Sequence, residues 1–422
     1  MSIRLDRVHQ TDLLAADGIP VRLRRRGGRP VRVGVTASLR LRGGRLTVLG
    51  SIGKLRLSRR RARLVEVPLR DAARVLLAGC EGRRIGIRVR NRRSSRARSR
   101  STRLRLDAPN CARFFGATTF WNSPLPPDAP LDPDSSNVAA ELQDQVRDGF
   151  RSEFPPTINT TSYAPPIYTV SRDQPRVRVH LDRPPGYAPD LEAAFASVPL
   201  PPAASPSAGS DAELVVWQPA TDTLWEFWQL RRSDDGWHAS WGGRMREVST
   251  GQGVFSRPHA NWGTSASSLP LAGGLITPGE LRRGEIDHAL ALGIPRVRAD
   301  EFARPAQRTD GRSTCPHAVP EGAHFRLDPG LDIDALGLAP PVAALARAAQ
   351  RYGIIVRDRA RAVVFYAQNP STLATDPYPA ILGGRSPSEL LASFPWSHLR
   401  LLRMDLVKTP GSSRERLLLG CT

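Results

Sequence analysis

The sequence predicts a mainly β protein built as two β-sandwich units, and three observations carry that prediction. Residues 20–106 alternate apolar and arginine positions with a period of two, which puts Val, Leu and Ile on one face of each strand and arginine on the other. Composition then changes abruptly: residues 1–106 hold 30 Lys+Arg against 6 Asp+Glu, the remainder 31 against 34, and all eight tryptophans lie beyond 107–110. Within the second part, 214–245 reads as a three-stranded meander whose middle strand is apolar on both faces, so it must be covered on both sides. The expected organisation is a small antiparallel sandwich over 1–106, a linker at 107–110, and over 111–422 a larger β-sandwich or jelly-roll-like unit with a few peripheral α-helices.

In the first part, strands are predicted at 21–24, 31–33, 39–42, 85–90 and 104–106. The pairs Gly27-Gly28 and Gly43-Gly44 supply hairpin turns. The run 91–102 (NRRSSRARSRST) has no apolar residue except Ala97 and reads as a loop or edge connection.

In the second part, cap-type residues at Asp134 to Ser136, followed by Val138, Leu142 and Val146 at helical spacing, predict an amphipathic helix over 132–148. The proline-rich stretch 199–210 reads as a surface loop. The meander consists of ELVVWQP, a turn at 220–223, LWEFWQL, a turn at 233–236 and WHASWGGRM. Thr277-Pro-Gly-Glu280 and Ser386-Pro-Ser-Glu389 are capping boxes that start short helices. Residues 285–294 read as a strand, 340–352 as a helix stopped by Gly353, and 354–356 with 363–366 as a hairpin.

The formal net charge of +21 lies wholly in the first quarter of the chain, and only Lys54 and Lys408 are lysine. An anion-binding face and a GC-rich coding bias on a solvated surface both produce that skew. No stretch of about 18 apolar residues exists, so no membrane span is expected, and the first thirty residues lack the apolar core of a signal peptide. Cysteines 80, 111, 315 and 421 show no CxxC or zinc-finger spacing; a Cys111–Cys421 bridge joining the ends of the second part, or buried or free thiols, are the readings left open.

The chain has no GxSxG elbow, P-loop, GxGxxG after a strand, HExxH or EF-hand loop, which removes the best support for nucleotide, lipase and metalloprotease chemistry. Glu226, on a tryptophan-flanked strand, is costly to bury unless paired or lining a cleft. In such surroundings its pKa rises, as suits a general acid, and indole faces beside it suit sugar rings; alternatively an arginine satisfies it. The loop His259 to Ser265, rich in small polar residues, approaches a ligand closely or serves as turn chemistry alone. Asp287 and His288 are adjacent on a predicted strand and face opposite ways, so His288 either contacts substrate or sits hydrogen-bonded in the core. Arg308 and Asp310 form a polar turn able to clamp a carboxylate or sugar hydroxyls. Cys315, His317 and His324 follow no metal-ligand spacing; neither metal nor cofactor is expected.

The stretches FFGATTFWNSPLPPDAPLDPDS (114–135), INTTSYAPPIYTV (158–170), ATDTLWEFW (220–228), WGTSASSLPLAGGLITPGELRRGEIDHAL (262–290), GAHFRLDP (322–329) and QRYGIIVRD (350–358) resemble an uncharacterised family of predicted extracellular proteins, mostly actinobacterial, over nearly all of 111–422. More distant bacterial proteins keep an acidic strand like LWEFW, a GWTSAD-like loop and an HAL strand, but here Ser267 stands where they have Asp. Residues 20–106 resemble the arginine-rich immunoglobulin-like domains of exported actinobacterial proteins, which implies an accessory or spacer role for an immunoglobulin-like β-sandwich.

Two functional expectations follow. The first is a secreted carbohydrate-active enzyme, a glycoside hydrolase or polysaccharide lyase acting on a polysaccharide or cell-wall glycan, with Glu226 as acid or base. His288 and Arg308 would assist it, and Trp228, His259, Trp262 and Asp310 would contact substrate. The second is a non-catalytic cell-envelope or glycan-binding protein. Nucleic acid is not expected as a partner, because the arginines alternate with core residues and no aromatics are interleaved for base stacking. A monomer is expected, outside the cell or in its envelope.

Overall fold

The computed structural model describes residues 2–5, 8–9, 13, 18–24, 30–41, 46–58, 62–70, 82–91, 97–105, 114–373, 375–409 and 420. The fold is mainly β.

Among the described residues up to 105 lie eight strands: β1 (Ser2–Arg4), β2 (Val8–His9), β3 (Gly18–Arg24), β4 (Val31–Leu41), β5 (Leu46–Leu57), β6 (Ala62–Pro68), β7 (Gly82–Asn91) and β8 (Ala97–Arg105). They form a three-stranded sheet β1-β3-β6 and a five-stranded sheet β2-β8-β7-β4-β5. Alternation sets the packing: Ile19, Val21 and Leu23 of β3 enter one apolar cluster with Val33, Val35 and Leu39 of β4 and Ile85, Ile87 and Val89 of β7, while Arg22, Arg24, Arg88 and Arg90 stay exposed. Each large apolar side chain so buried contributes roughly 1.5–3 kcal/mol.

Two expectations need correction here. The segments at 31–33 and 39–42 belong to one long strand, β4, which keeps its pairing through two register shifts against β5. Residues 97–102, read as a loop or edge connection, continue the strand β8, because their backbone completes the ladder beside β7 although their side chains are mostly polar. The expected turns at Gly27-Gly28 and Gly43-Gly44, like a Cys111–Cys421 bridge, lie outside the described residues.

Residues 114–409 pack a four-stranded sheet against a six-stranded one. The first, ordered β10-β12-β13-β16, uses β10 (Ile167–Thr169), β12 (Leu214–Gln218), β13 (Thr223–Trp228) and β16 (Trp241–Arg246). The second, ordered β22-β19-β20-β17-β21-β9, uses β9 (Thr157–Asn159), β17 (Leu290–Ile294), β19 (His324–Leu327), β20 (Ile354–Arg359), β21 (Val364–Tyr366) and β22 (Leu399–Leu401). A smaller sheet, β11-β15-β14, joins β11 (Val179–Leu181), β14 (Arg231–Ser233) and β15 (Gly236–Ala239), and β18 (Glu301–Ala303) pairs β23 (Leu406–Lys408).

Period-two alternation makes the six-stranded sheet a shared wall. Ala291, Ile355, Val364 and Tyr366 join the core beneath the four-stranded sheet, with Trp217, Leu224 and Phe227. Leu290, Leu292, Ile354, Val356 and Phe365 face the opposite way, into a core closed by α1 (Ser135–Phe150) and α4 (Pro340–Arg351). In α1 the predicted stripe Val138, Leu142 and Val146 is the buried one. α2 (Pro189–Phe195) and α3 (Pro278–Arg283) are short; α3 and the turn of helix at Pro387–Leu391 both begin with the predicted capping boxes. Past α4, Gly353 takes φ +90°, and a Cβ there would lie 2.2 Å from His324 Nε2.

Here too the structure differs from the reading of single segments. The third meander strand begins at Trp241, since Trp237 pairs instead within the small sheet. The 354–356 and 363–366 segments do not pair, because β17 lies between them, parallel to β20 and antiparallel to β21. β17 itself starts only at Leu290, leaving Asp287 and His288 ahead of the strand.

Candidate functional site

A cleft of about 800 Å³ opens where the start of β12, the end of β13, the start of β16 and the end of β20 converge. A further side is the loop 255–268, which lies directly on β16. A Cβ at Gly243 would come within 2.5 Å of the Phe255 ring, and the Gly263 N–H donates to the Gly242 carbonyl at 3.0 Å. Glycine on the strand therefore lets the loop backbone reach the sheet.

Glu226 holds that loop. It is fully buried in the middle of β13, opposite Gly243. One carboxylate oxygen accepts the Thr264 N–H at 2.8 Å and the Thr264 hydroxyl at 3.3 Å; the other accepts the Leu271 N–H at 2.9 Å. Burial pushes its pKa up to about 7, and these hydrogen bonds limit the rise. Arg308 pins the same loop from the other side, donating from Nη2 to the carbonyls of Gly263 at 3.0 Å and Ser265 at 2.9 Å. Ser267, fully buried, ties it to the Arg357 carbonyl of β20, so its hydroxyl is occupied in holding the loop.

The floor is acidic. Glu213, just before β12, is almost wholly buried, and burial raises its carboxyl to about 8, partly countered by Arg357. Asp358, at the end of β20, accepts the N–H groups of Ala266 at 3.2 Å and Arg359 at 2.9 Å on one oxygen. Burial, reinforced by neighbouring Asp310, pushes it to about 7. Asp310 is ion-paired with Arg359 at 2.9 Å, and Asp211 accepts the Trp228 indole N–H at 3.1 Å. Behind the floor, fully buried Arg357 stacks on Tyr366 at 3.9 Å and donates to the Leu271 carbonyl at 2.9 Å. Glu321, also fully buried, is driven well above the usual carboxylate range by burial and by Asp358.

The walls carry aromatic rings. Trp241 meets Tyr187 edge-on at 6.3 Å, and Arg183 lies over both rings. Trp262 is buried with His259 stacked on it at 4.0 Å.

Of the residues singled out in the sequence, Trp228, His259, Trp262, Arg308 and Asp310 line this cleft. Glu226 does not; it sits behind the wall as an anchor, held by loop N–H groups rather than by an arginine. Trp262 is no open stacking surface, because His259 covers it. His288 is elsewhere, its Nε2 3.1 Å from Glu280 of the α3 capping box and its Nδ1 2.8 Å from the Ala289 carbonyl. Cys315, His317 and His324 are separately engaged: Cys315 in a disulfide, His317 with Asp134 at 2.7 Å, and His324 donating to the Tyr352 carbonyl at 2.9 Å.

Sequence reasoning missed Glu213, Asp358 and Trp241. Glu213 opens the ELVVWQP strand and Asp358 closes QRYGIIVRD, and a carboxylate at the end of a buried strand was the available signal. No family model, curated protein or solved structure matches the chain.

Proposed function

We propose that the chain is a carbohydrate-active enzyme, a glycoside hydrolase working on a polysaccharide or cell-wall glycan in this cleft. The observation that carries the reading is the pair Glu213 and Asp358, two carboxyls raised by burial to about 8 and about 7 on the floor of a cleft with indoles in its walls. Burial holds both carboxyls well above the usual carboxylate range, so near neutrality one can keep its proton while the other has lost its own, the division of labour that glycosidic cleavage needs. Glu213 donates its proton to the glycosidic oxygen as the C–O bond breaks. Asp358 takes a proton from the water that adds to the anomeric carbon, and the backbone N–H groups of Ala266 and Arg359 hold its carboxylate in place. Trp241 and Tyr187 offer ring surface to the sugars. Glu226 and Arg308 act as positioning residues through the loop.

The disulfide at Cys315 supports an oxidising compartment, outside the cell or in its envelope, in keeping with the exported proteins the sequence resembles. No described helix is long and apolar enough to cross a membrane. We take the working unit to be a monomer.

The test is reducing-end release by the full chain from a panel of bacterial and plant polysaccharides, with Glu213→Gln and Asp358→Asn as controls. Turnover lost in both variants supports the assignment. Turnover that survives in both overturns it, and retention on an insoluble glycan without turnover moves the reading to a non-catalytic glycan-binding protein.

A further inference from the structure

Asp211 stands two residues before Glu213 on the approach to β12, and both line the cleft. The backbone of this approach is sewn to the end of β13: the Asp211 carbonyl accepts the Gln229 N–H at 2.7 Å, and the Ala212 carbonyl accepts the Leu230 N–H at 3.1 Å. The Asp211 side chain is held as well, its Oδ1 accepting the Trp228 indole N–H at 3.1 Å. That donor is uncharged, so it fixes the carboxylate without cancelling its charge. Glu213 is anchored on its own backbone, donating its N–H to the Ser207 hydroxyl and accepting the Ser207 N–H, both at 2.9 Å. Neither residue can leave the other's neighbourhood while these bonds hold, and only Glu213 is deeply buried, Asp211 being half-buried.

Burial does most to keep Glu213 protonated, and charged groups on β13, on β20 and on its own loop then compete over it. Arg357 of β20 favours the ionised form, although its guanidinium is committed to the Tyr366 ring and the Leu271 carbonyl. Asp211, Asp358 of β20 and Glu226 of β13 favour the protonated form, Asp211 most strongly of the three. Asp358 and Glu226 have other tasks, as base and as loop anchor. We propose that Asp211 is a positioning residue for the hydrolytic reaction, its fixed charge keeping the neighbouring Glu213 in the proton-donating form that glycosidic cleavage uses. This rests on the reading of Glu213 as the general acid.

The experiment compares the full chain with two variants. Asp211→Asn removes the charge but keeps an oxygen for the Trp228 indole, and Asp190→Asn removes a charge from the same cleft at a side chain that is 74% exposed. Two pH profiles are measured, urea unfolding followed by tryptophan fluorescence and reducing-end release from a polysaccharide that the parent cleaves. Without Asp211 the Glu213 proton is held less tightly, so the alkaline midpoint of both profiles should fall by about 0.5–1 pH unit. Stability and turnover then move in opposite directions. The stability lost as pH rises through the folded Glu213 value is lost over a narrower range, which leaves Asp211→Asn the more stable protein in alkali. Its turnover above the midpoint is about three- to tenfold lower. Damage to the fold would lower both together. Asp190→Asn should move neither midpoint. Equal shifts in the two variants would reduce the effect to general charge in the cleft and overturn the proposal, as would an unshifted Asp211→Asn profile in an active enzyme. A shifted unfolding profile in a parent that turns over no polysaccharide overturns the hydrolase reading, and with it the catalytic use of the pair, while supporting the pairing itself.

Discussion

Replacing Glu213 by Gln separates what this residue does for catalysis from what it costs the fold. Buried in the cleft floor, its carboxyl titrates near 8 instead of 4.5. Between those two values the native state holds a proton that the unfolded chain releases, so stability is fully present below 4.5 and is lost as pH rises towards 8. At about 1.4 kcal/mol per pH unit, the ceiling on that loss is roughly 5 kcal/mol. Water entering through the cleft reduces it, and about 2–3 kcal/mol is the realistic magnitude. Glutamine has the same shape and no charge, so the variant escapes the loss. It should match the parent near pH 4.5 and exceed it by about 2–3 kcal/mol at pH 9, while its turnover falls by about 10²-fold or more. Urea unfolding followed by tryptophan fluorescence at both pH values measures this, since all eight tryptophans lie between 121 and 396. If parent and variant show the same pH dependence, Glu213 is not a buried acid, and the catalytic assignment fails with it.

Four further outcomes follow from the same geometry. Turnover should peak between about 7 and 8, the values to which Asp358 and Glu213 are raised, and a pH–rate profile checks it. Gly243→Ala forces a methyl to within 2.5 Å of Phe255 and should cost about 1–3 kcal/mol in urea unfolding, with weaker turnover as the loop lifts off β16. Burial works to lower the His288 pKa, but Glu280 outweighs it and raises the value above 6.5. The stability this ion pair contributes is therefore present below 6.5 and lost as pH rises through the higher folded value, and His288→Gln should flatten that part of the unfolding profile. Thr277→Ala removes the capping box of α3 and should lower stability by about 1 kcal/mol, read in the same assay.

Sequence by itself determined the features that depend on near neighbours along the chain. Alternation of valine, leucine and isoleucine with arginine specified the strands of the first part, because side chains leave a strand on opposite faces. The spacing of Val138, Leu142 and Val146 specified a helical stripe, and two capping boxes appeared where hydroxyl and carboxylate stand three residues apart. The cost of burying Glu226 was also legible, since any carboxylate between Trp225 and Phe227 must find donors. Tertiary structure alone decided where those donors come from. Thr264 and Leu271 lie 38 and 45 residues further on, so an expected catalytic acid became a loop anchor. It likewise inserted β17 between two segments that read as a hairpin, because an apolar strand five residues long is buried most completely with neighbours on both edges. The cleft was decided at the same level. Glu213, Trp241, Asp310 and Asp358 meet only when two sheets pack, and no local pattern encodes a contact between residues about 150 positions apart.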